Sequence, residues 1–224
     1  MPVRLRARDH TYWRGKQWLP GVTSILTAVG AKPAGPPPGV TADEWNRAGA
    51  LGRAVHAATA LDDQGALNPA SVHPDVAPRL EAWRMFRRET GFTPCRYGIE
   101  CIVGRSASGA AGTLDRIGTW SDGSPDQYML LDIKTSSADA AWWELQLGGY
   151  ADLADRRTAK LVTVRLGADG VYHIREWDTE TALSGWSGVL AYYYWMLNHG
   201  LIDRPAPDVA PTPKEVIPCQ PSLL

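Results

Sequence analysis

The chain has 224 residues, of which 44% are hydrophobic and 21% charged, and its formal net charge is −1. This composition sits near the globular average and excludes bulk disorder, and the near-zero net charge gives no global signature of a polyanion binder. The length permits a sizeable core and one or two domains, and no internal repeat is visible.

The charge is nonetheless uneven. Arg4, Arg6, Arg8, Arg14, Lys16, Lys32, Arg47 and Arg53 outnumber Asp9, Asp43 and Glu44 in the first 53 residues. Arg79, Arg84, Arg87, Arg88 and Arg96 form a second basic cluster. Such patches either steer a polyanion locally or are solvated helix faces. Cys95, Cys101 and Cys219 show neither metal-ligand spacing nor a disulfide framework. The start MPVRLRARDH lacks the apolar stretch of a signal peptide, and no run reaches membrane-spanning length, so a soluble intracellular protein is expected.

In chain order, HTYWRGKQWL (10–19) reads as a hairpin turning near Arg14-Gly15. GVTSILTAV follows with Val22, Ile25, Leu26 and Val29 at helical spacing. The stretch from Gly30 to Gly39, with its PAGPPPG, is a loop or mobile lid. Thr41-Ala-Asp-Glu44 is a capping box and opens a helix that carries His56 and stops near Gly65. A second amphipathic helix runs from Pro78 to Thr90, closed by Gly91. Residues 92–103 read as a strand carrying Glu100, and Ser106 to Gly109 turns the chain into the strand GTLDRIGTW with Asp115. After the polar turn SDGSPDQ comes the strand YMLLDIKT, then a helix over 139–154 with Ser137 as its expected N-cap. KLVTVRL-GADG-VYHIREW is a hairpin, and a helix from Thr179 to Asn198 presents Trp186, Leu190, Tyr193 or Tyr194 and Leu197 as a core stripe. Leu201 to Leu224 holds six prolines and reads as an extended tail on a single domain spanning 1–200. The order of elements predicts an α/β (α+β) fold, a central mixed sheet flanked by helices.

Asp132 and Lys134, two apart on one strand, project from the same face, and Asp115 sits on the strand before. Two carboxylates and a lysine converging on a strand pair suit either a salt bridge or a metal site. Asp132 lies in the apolar run MLLDI, where a buried carboxylate without a paired charge or metal is costly, and this favours the functional alternative. Phosphodiester hydrolysis needs an activated water, neutralised phosphoryl oxygens and a stabilised leaving oxygen, and a carboxylate-held divalent ion serves all three. Asp115 and Asp132 are the candidate ligands, the Ile133 carbonyl is a further oxygen donor, and Lys134 is placed to orient the water or offset transition-state charge.

Four motifs in order, GxxxH (Gly52 to His56), GTLD (ending at Asp115), DIK (Asp132 to Lys134) and QxxxY (Gln146 to Tyr150), resemble the PD-(D/E)XK nucleases. The likeness is to the RecB-type branch, which includes phage-type exonucleases and the nucleases of CRISPR adaptation, and runs from about Gly21 to about Trp195. It implies a restriction-endonuclease-like core. It implies metal ligation by His56, Asp115, Asp132 and the Ile133 carbonyl, with catalysis by Lys134 and contacts to the substrate strand from Gln146 and Tyr150. Glu100 resembles an acidic residue that some members use at a second metal. The implied cofactor is Mg²⁺ or Mn²⁺, since imidazole suits softer ions than Mg²⁺. The implied substrate is DNA, cleaved by an exonuclease in recombination, repair or phage DNA processing, in the cytoplasm of a bacterial or phage-infected host cell. A recombination or replication protein is the implied partner. The literal Pro-Asp of the family name is absent, the residue before the lysine motif is Asp rather than Glu, and there is no four-cysteine cluster.

Two rivals remain. One is a non-catalytic nucleic-acid-binding module on the same fold. The other is a metal-free hydrolase using Asp115 and Asp132 as an acid/base pair, which Lys134 disfavours because it lowers an acid's pKa. Trp143 reads as core. Gly148 and Gly149 signal either close approach of their helix to the sheet or to a nucleic-acid backbone, or a bend.

Overall fold

The computed structural model describes residues 2–6, 10–105, 107–120 and 128–203. Strands β1 (Val3–Arg6), β2 (Thr11–Arg14) and β3 (Gln17–Leu19) form a small antiparallel sheet. The β2–β3 hairpin turns where expected, pairing Arg14 with Gln17. Strand β1 was not anticipated: four residues with two arginines carry too weak an alternation to read alone.

Helix α1 (Val22–Ala28) follows, then the loop that the prolines require, then α2 (Ala42–Asp63). The capping box opens α2: Thr41 Oγ1 accepts from the Glu44 amide at 3.2 Å, and Glu44 Oε2 accepts from the Thr41 amide at 2.8 Å. Residues 42–50 are all exposed, and buried positions begin only at Val55. Local capping therefore starts this helix, and tertiary packing holds only its second half.

After α3 (Ala77–Thr90) come β4 (Thr93–Arg105), β5 (Ala110–Thr119) and β6 (Tyr128–Lys134), then α4 (Trp142–Leu153), β7 (Lys160–Leu166), β8 (Tyr172–Trp177) and α5 (Thr179–Asn198). The large sheet has the order β4-β5-β6-β7-β8, with β6 and β7 parallel and the other neighbours antiparallel. Helix α4 lies in the β6–β7 crossover, as a parallel pair demands. Helices α1, α4 and α5 bury Ile25, Leu147 and Trp186 with Leu130 of the sheet. Helices α2 and α3 bury Val55, Trp83 and Phe86 with Leu131 and Ile133. The fold is thus α/β in the α+β sense, a mixed five-stranded sheet with helices on both faces. Among the described residues no helix is long and apolar enough to cross a membrane.

Three local readings change. Helix α4 starts at Trp142 with Ala141 as its N-cap residue, not after Ser137. Arg165 explains the delay: it donates to the Ser137 carbonyl at 2.8 Å and pairs with Asp139 at 2.7 Å, holding this segment against β7 in a non-helical course. Gly148 and Gly149 face neither the sheet nor an open groove. A Cβ on Gly148 would stand 2.2 Å from the Ala182 carbonyl oxygen of α5, and one on Gly149 would stand 3.1 Å from the Trp186 ring. The glycines permit close helix–helix contact. Cys95 is a free thiol, while Cys101 is disulfide-bonded, which the cysteine spacing did not suggest. The SDGSPDQ turn, Ser106 and the tail from residue 204 lie outside the described residues.

Candidate metal centre

Strand register assembles the acidic residues. Arg116 pairs with Leu131, so one step along Asp115 stands opposite Asp132. Ile99 pairs with Arg116 and Cys101 with Leu114, which brackets Glu100 against Asp115. Three carboxylates from three adjacent strands thus share one row, where directly opposed residues have Cβ atoms about 4.5–5.5 Å apart. Glu100 holds φ +49°, in the left-handed region that a non-glycine residue rarely occupies, next to a register irregularity in β4.

His56 reaches this row from α2. A Cβ on Gly52, one turn earlier, would lie 3.5 Å from Thr135 Oγ1, so the helix crosses closely over the end of β6. His56 Nε2 lies 3.1 Å from the Ile133 carbonyl oxygen. A carbonyl only accepts, so this bond places a proton on Nε2 and turns Nδ1 towards the carboxylates. Nδ1 stands 3.5 Å from Asp115 Oδ1 and 3.7 Å from Glu100 Oε1. One donor atom from each of His56, Glu100 and Asp115 lies within 4.8 Å of the others. An ion bound at about 2.0–2.6 Å separates neighbouring donors by about 3–4 Å, so the trio fits a divalent cation. The imidazole orientation fits too, because a ligating histidine usually donates its far N–H to a carbonyl or carboxylate.

Ile133 serves both partners. Its amide donates to Asp115 Oδ2 at 2.7 Å, and its carbonyl faces the ring nitrogen remote from the acidic residues. The backbone group expected as an oxygen ligand is therefore engaged in fixing His56.

Charge coupling is strong here. Burial alone would depress the His56 pKa, but the charges of Asp115 and Glu100 outweigh it and push it up to about 10. Burial opposes ionisation of Asp115, yet His56, Lys134 and the Ile133 amide hold its pKa below the usual carboxylate range. Burial and the Asp115 charge raise Asp132 to about 6, only partly offset by Lys134. The site thus keeps a proton on His56 and makes Asp132 easier to protonate than an ordinary carboxylate, as a cluster short of positive charge should.

Asp132 Oδ2 is buried, has no aligned hydrogen-bond donor, and stands 2.5 Å from Lys134 Nζ. Lys134 also donates to Gln146 Oε1 at 2.9 Å, and Gln146 Nε2 donates to the Tyr150 hydroxyl at 3.0 Å. Gln146 and Tyr150 are buried in α4, and burial together with the charges of Asp132 and Asp115 raises the tyrosine pKa well above its ordinary value. Their place is behind the lysine, where they hold it. A Cβ on Gly112 would meet the Tyr150 ring at 2.7 Å, so the glycine of GTLD makes room for this tyrosine on β5.

Sequence reasoning missed several neighbours. Arg116, next to Asp115, is fully buried. Its Nε donates to Asp63 Oδ2 at 2.6 Å, one terminal nitrogen to Glu100 at 3.1 Å and to the Asp115 carbonyl at 2.6 Å, and the other to Thr59 at 3.0 Å. Asp63 also accepts from Arg87 and from Trp83 Nε1. An arginine beside Asp115 at a mostly buried strand position was the available signal. Tyr12 of the small sheet lies 3.0 Å from Thr113 through its hydroxyl, and burial lifts its pKa to about 12. Trp142 carries Lys134 on one indole face, with Nζ 5.1 Å from the ring centre.

No family model and no curated protein matches the chain. A solved structure, the crystal structure of SSO0001, is similar over 63% of this chain and 72% of its own, at 16% identity and a TM-score of 0.32.

Proposed function

We propose that the protein is a divalent-metal-dependent nuclease that hydrolyses DNA phosphodiester bonds. The observation that carries this reading is the convergence of His56 Nδ1, Glu100 and Asp115 within 4.8 Å, beside the buried Asp132–Lys134 pair. A salt-bridged core would pair its acids with fixed cations, whereas this row has more carboxylates than lysine or arginine partners directed at it. His56, Glu100 and Asp115 would hold the ion, with Asp132 next to them, and Mg²⁺ or Mn²⁺ suits their oxygen and imidazole donors.

The bound ion would supply Lewis acidity towards a phosphoryl oxygen and an acidified water. The remaining steps belong to side chains. Lys134, held between Asp132 and Gln146, is placed to orient the attacking water and to offset charge building on the phosphoryl group. Gln146 and Tyr150 fix its direction, and the Ile133 amide fixes Asp115. Action on strand ends, in recombination, repair or phage DNA processing within a bacterial or phage-infected cell, follows the resemblance to phage-type exonucleases.

The test is cleavage of linear and circular, single- and double-stranded DNA with Mg²⁺, Mn²⁺ or EDTA. Metal-dependent shortening of linear DNA, abolished by Asp115→Asn in a folded protein, is expected. Absence of cleavage with either metal, or full activity in EDTA, would remove the proposal.

A further inference from the structure

Beside Lys134 lies a second lysine that neither the motifs nor the metal centre accounts for. Helix α1 ends at Ala28, and just beyond its Val29 cap Gly30 holds a φ of +76° that reverses the chain. The Lys32 amide then donates to the Leu26 carbonyl at 3.0 Å, and Leu26 is fully buried. The backbone of Lys32 is thus pinned to the core by the end of α1, although the proline-rich residues after it are exposed.

Its side chain crosses the indole of Trp142, with Nζ 5.7 Å from the ring centre. Lys134 Nζ lies 5.1 Å from the centre of the same ring. Trp142 packs edge-on against the buried Trp143, at 6.2 Å and 80°, which fixes the shared indole. Lys134 has Asp132 as its counter-ion, whereas among the described residues no carboxylate pairs with Lys32. Burial, followed by the charge of Lys134, pulls the Lys32 pKa below the usual lysine range.

The ring attracts each ammonium group, but it does nothing for the repulsion between them. A half-buried cation with no carboxylate partner among the described residues, on the same indole as a second cation, calls for an anion at its own end of the ring. Lys32 is not a metal ligand, since an ammonium group carries no free lone pair and would repel the ion. If the chain is a nuclease, the anion available at this point is the substrate backbone, whose phosphates lie on either side of the one at the metal.

We propose that Lys32, held on the Trp142 indole beside Lys134, binds a backbone phosphate of the nucleic-acid strand next to the phosphate that is cleaved. This rests on the nuclease reading above. Lys32 is a binding residue, and its charge, not its bulk, does the binding.

The experiment compares the full chain with Lys32→Met, which keeps an unbranched stem on the indole, and Lys32→Arg, which keeps the charge. Binding of fluorescein-labelled single- and double-stranded oligonucleotides is followed by anisotropy in EDTA across a range of NaCl, and cleavage is followed in Mn²⁺. Each phosphate contact contributes about 0.7–0.9 to the slope of log K against log salt. Lys32→Met should lower that slope by about one and raise KM by a larger factor than it lowers kcat, and Lys32→Arg should restore the slope. A protein that binds and cleaves DNA while Lys32→Met leaves slope and KM unchanged overturns the role of Lys32 alone. A full chain that neither binds nor cleaves any oligonucleotide overturns the nuclease reading, and the role of Lys32 with it. Should Lys32→Met not fold by circular dichroism, Lys32→Gln takes its place under the same criteria.

Discussion

Two buried charge clusters lie back to back on β5 and β6. On the α2/α3 side, Arg116 donates from all three guanidinium nitrogens, and Asp63 answers it together with Arg87. Both Arg116 and Asp63 have fully buried side chains, and positive and negative groups alternate through the cluster. In the second, Asp115 and Asp132 face each other with Lys134 towards α4, Asp132 Oδ2 lacks an aligned donor, and His56, reaching in from α2, is drawn into the protonated state. The first cluster is closed in charge, and within it only Arg87 Nε is a buried donor without a partner. The second is open, and Glu100 belongs to both, since one carboxylate oxygen meets Arg116 at 3.1 Å and His56 at 3.7 Å. Closure is what structure requires, and a less buried cluster left open in charge is what the proposed metal site would use.

Substitution should separate the two. The largest effect is expected from Arg116→Met. It strands Asp63 without its main partner, so unfolding in urea should show a loss of about 3–5 kcal/mol. A loss below about 1 kcal/mol would mean that the closed cluster is not a structural element. Lys134→Ala also strands a buried carboxylate, but Asp132 already favours taking up a proton, so its stability loss at pH 5 should be smaller than that of Arg116→Met, while cleavage falls about 10²–10³-fold, as removal of one preorganised charge-stabilising group does. Equal loss of stability and activity would erase the distinction.

Asp132→Asn should change stability in the opposite sense to Arg116→Met. The folded pKa of Asp132, about 6, lies above its ordinary 3.8. The carboxyl therefore supports folding while protonated, and that support is lost as pH rises through about 6. Asparagine cannot ionise, so the metal-free variant should melt higher than the wild type at pH 8 and converge with it near pH 4. A melting temperature that falls at pH 8 would place Asp132 with the closed cluster. The smallest effect belongs to Tyr150→Phe. It deletes the partner of Gln146 Nε2 and should slow cleavage by about 1 kcal/mol or less, with little change in metal affinity measured by calorimetry.

Elements with local signals were readable in the chain. The capping box of α2, the αL glycine closing α3 and the alternation of β7 and β8 each act within a few residues, so α2, α3 and the hairpin fall where their residues dictate. Asp132 and Lys134 were legible as a pair because the pleat alone joins them. What depends on distant neighbours was not legible. The start of α4 is delayed by Arg165, which lies 28 residues from Ser137. The space that Gly148 leaves is filled by the Ala182 carbonyl of a helix that follows a hairpin. The closed cluster needed Asp63 and Arg116, 53 positions apart, to meet, and no spacing rule links them. Lys32 looked like one basic residue among several until Trp142 was seen beneath it.

Helix α2 has a last consequence. Its residues 42–50 are exposed on every side, whereas Val55 and Ala58 to Ala60 are buried, and His56 stands at the border. Amide protons before Gly52 are guarded only by helical hydrogen bonds and should exchange with deuterium well ahead of those after Val55. The imidazole is thereby anchored in slow-exchanging backbone at the foot of a segment free to fray and re-form, so a long polymer could press that segment aside without unseating His56.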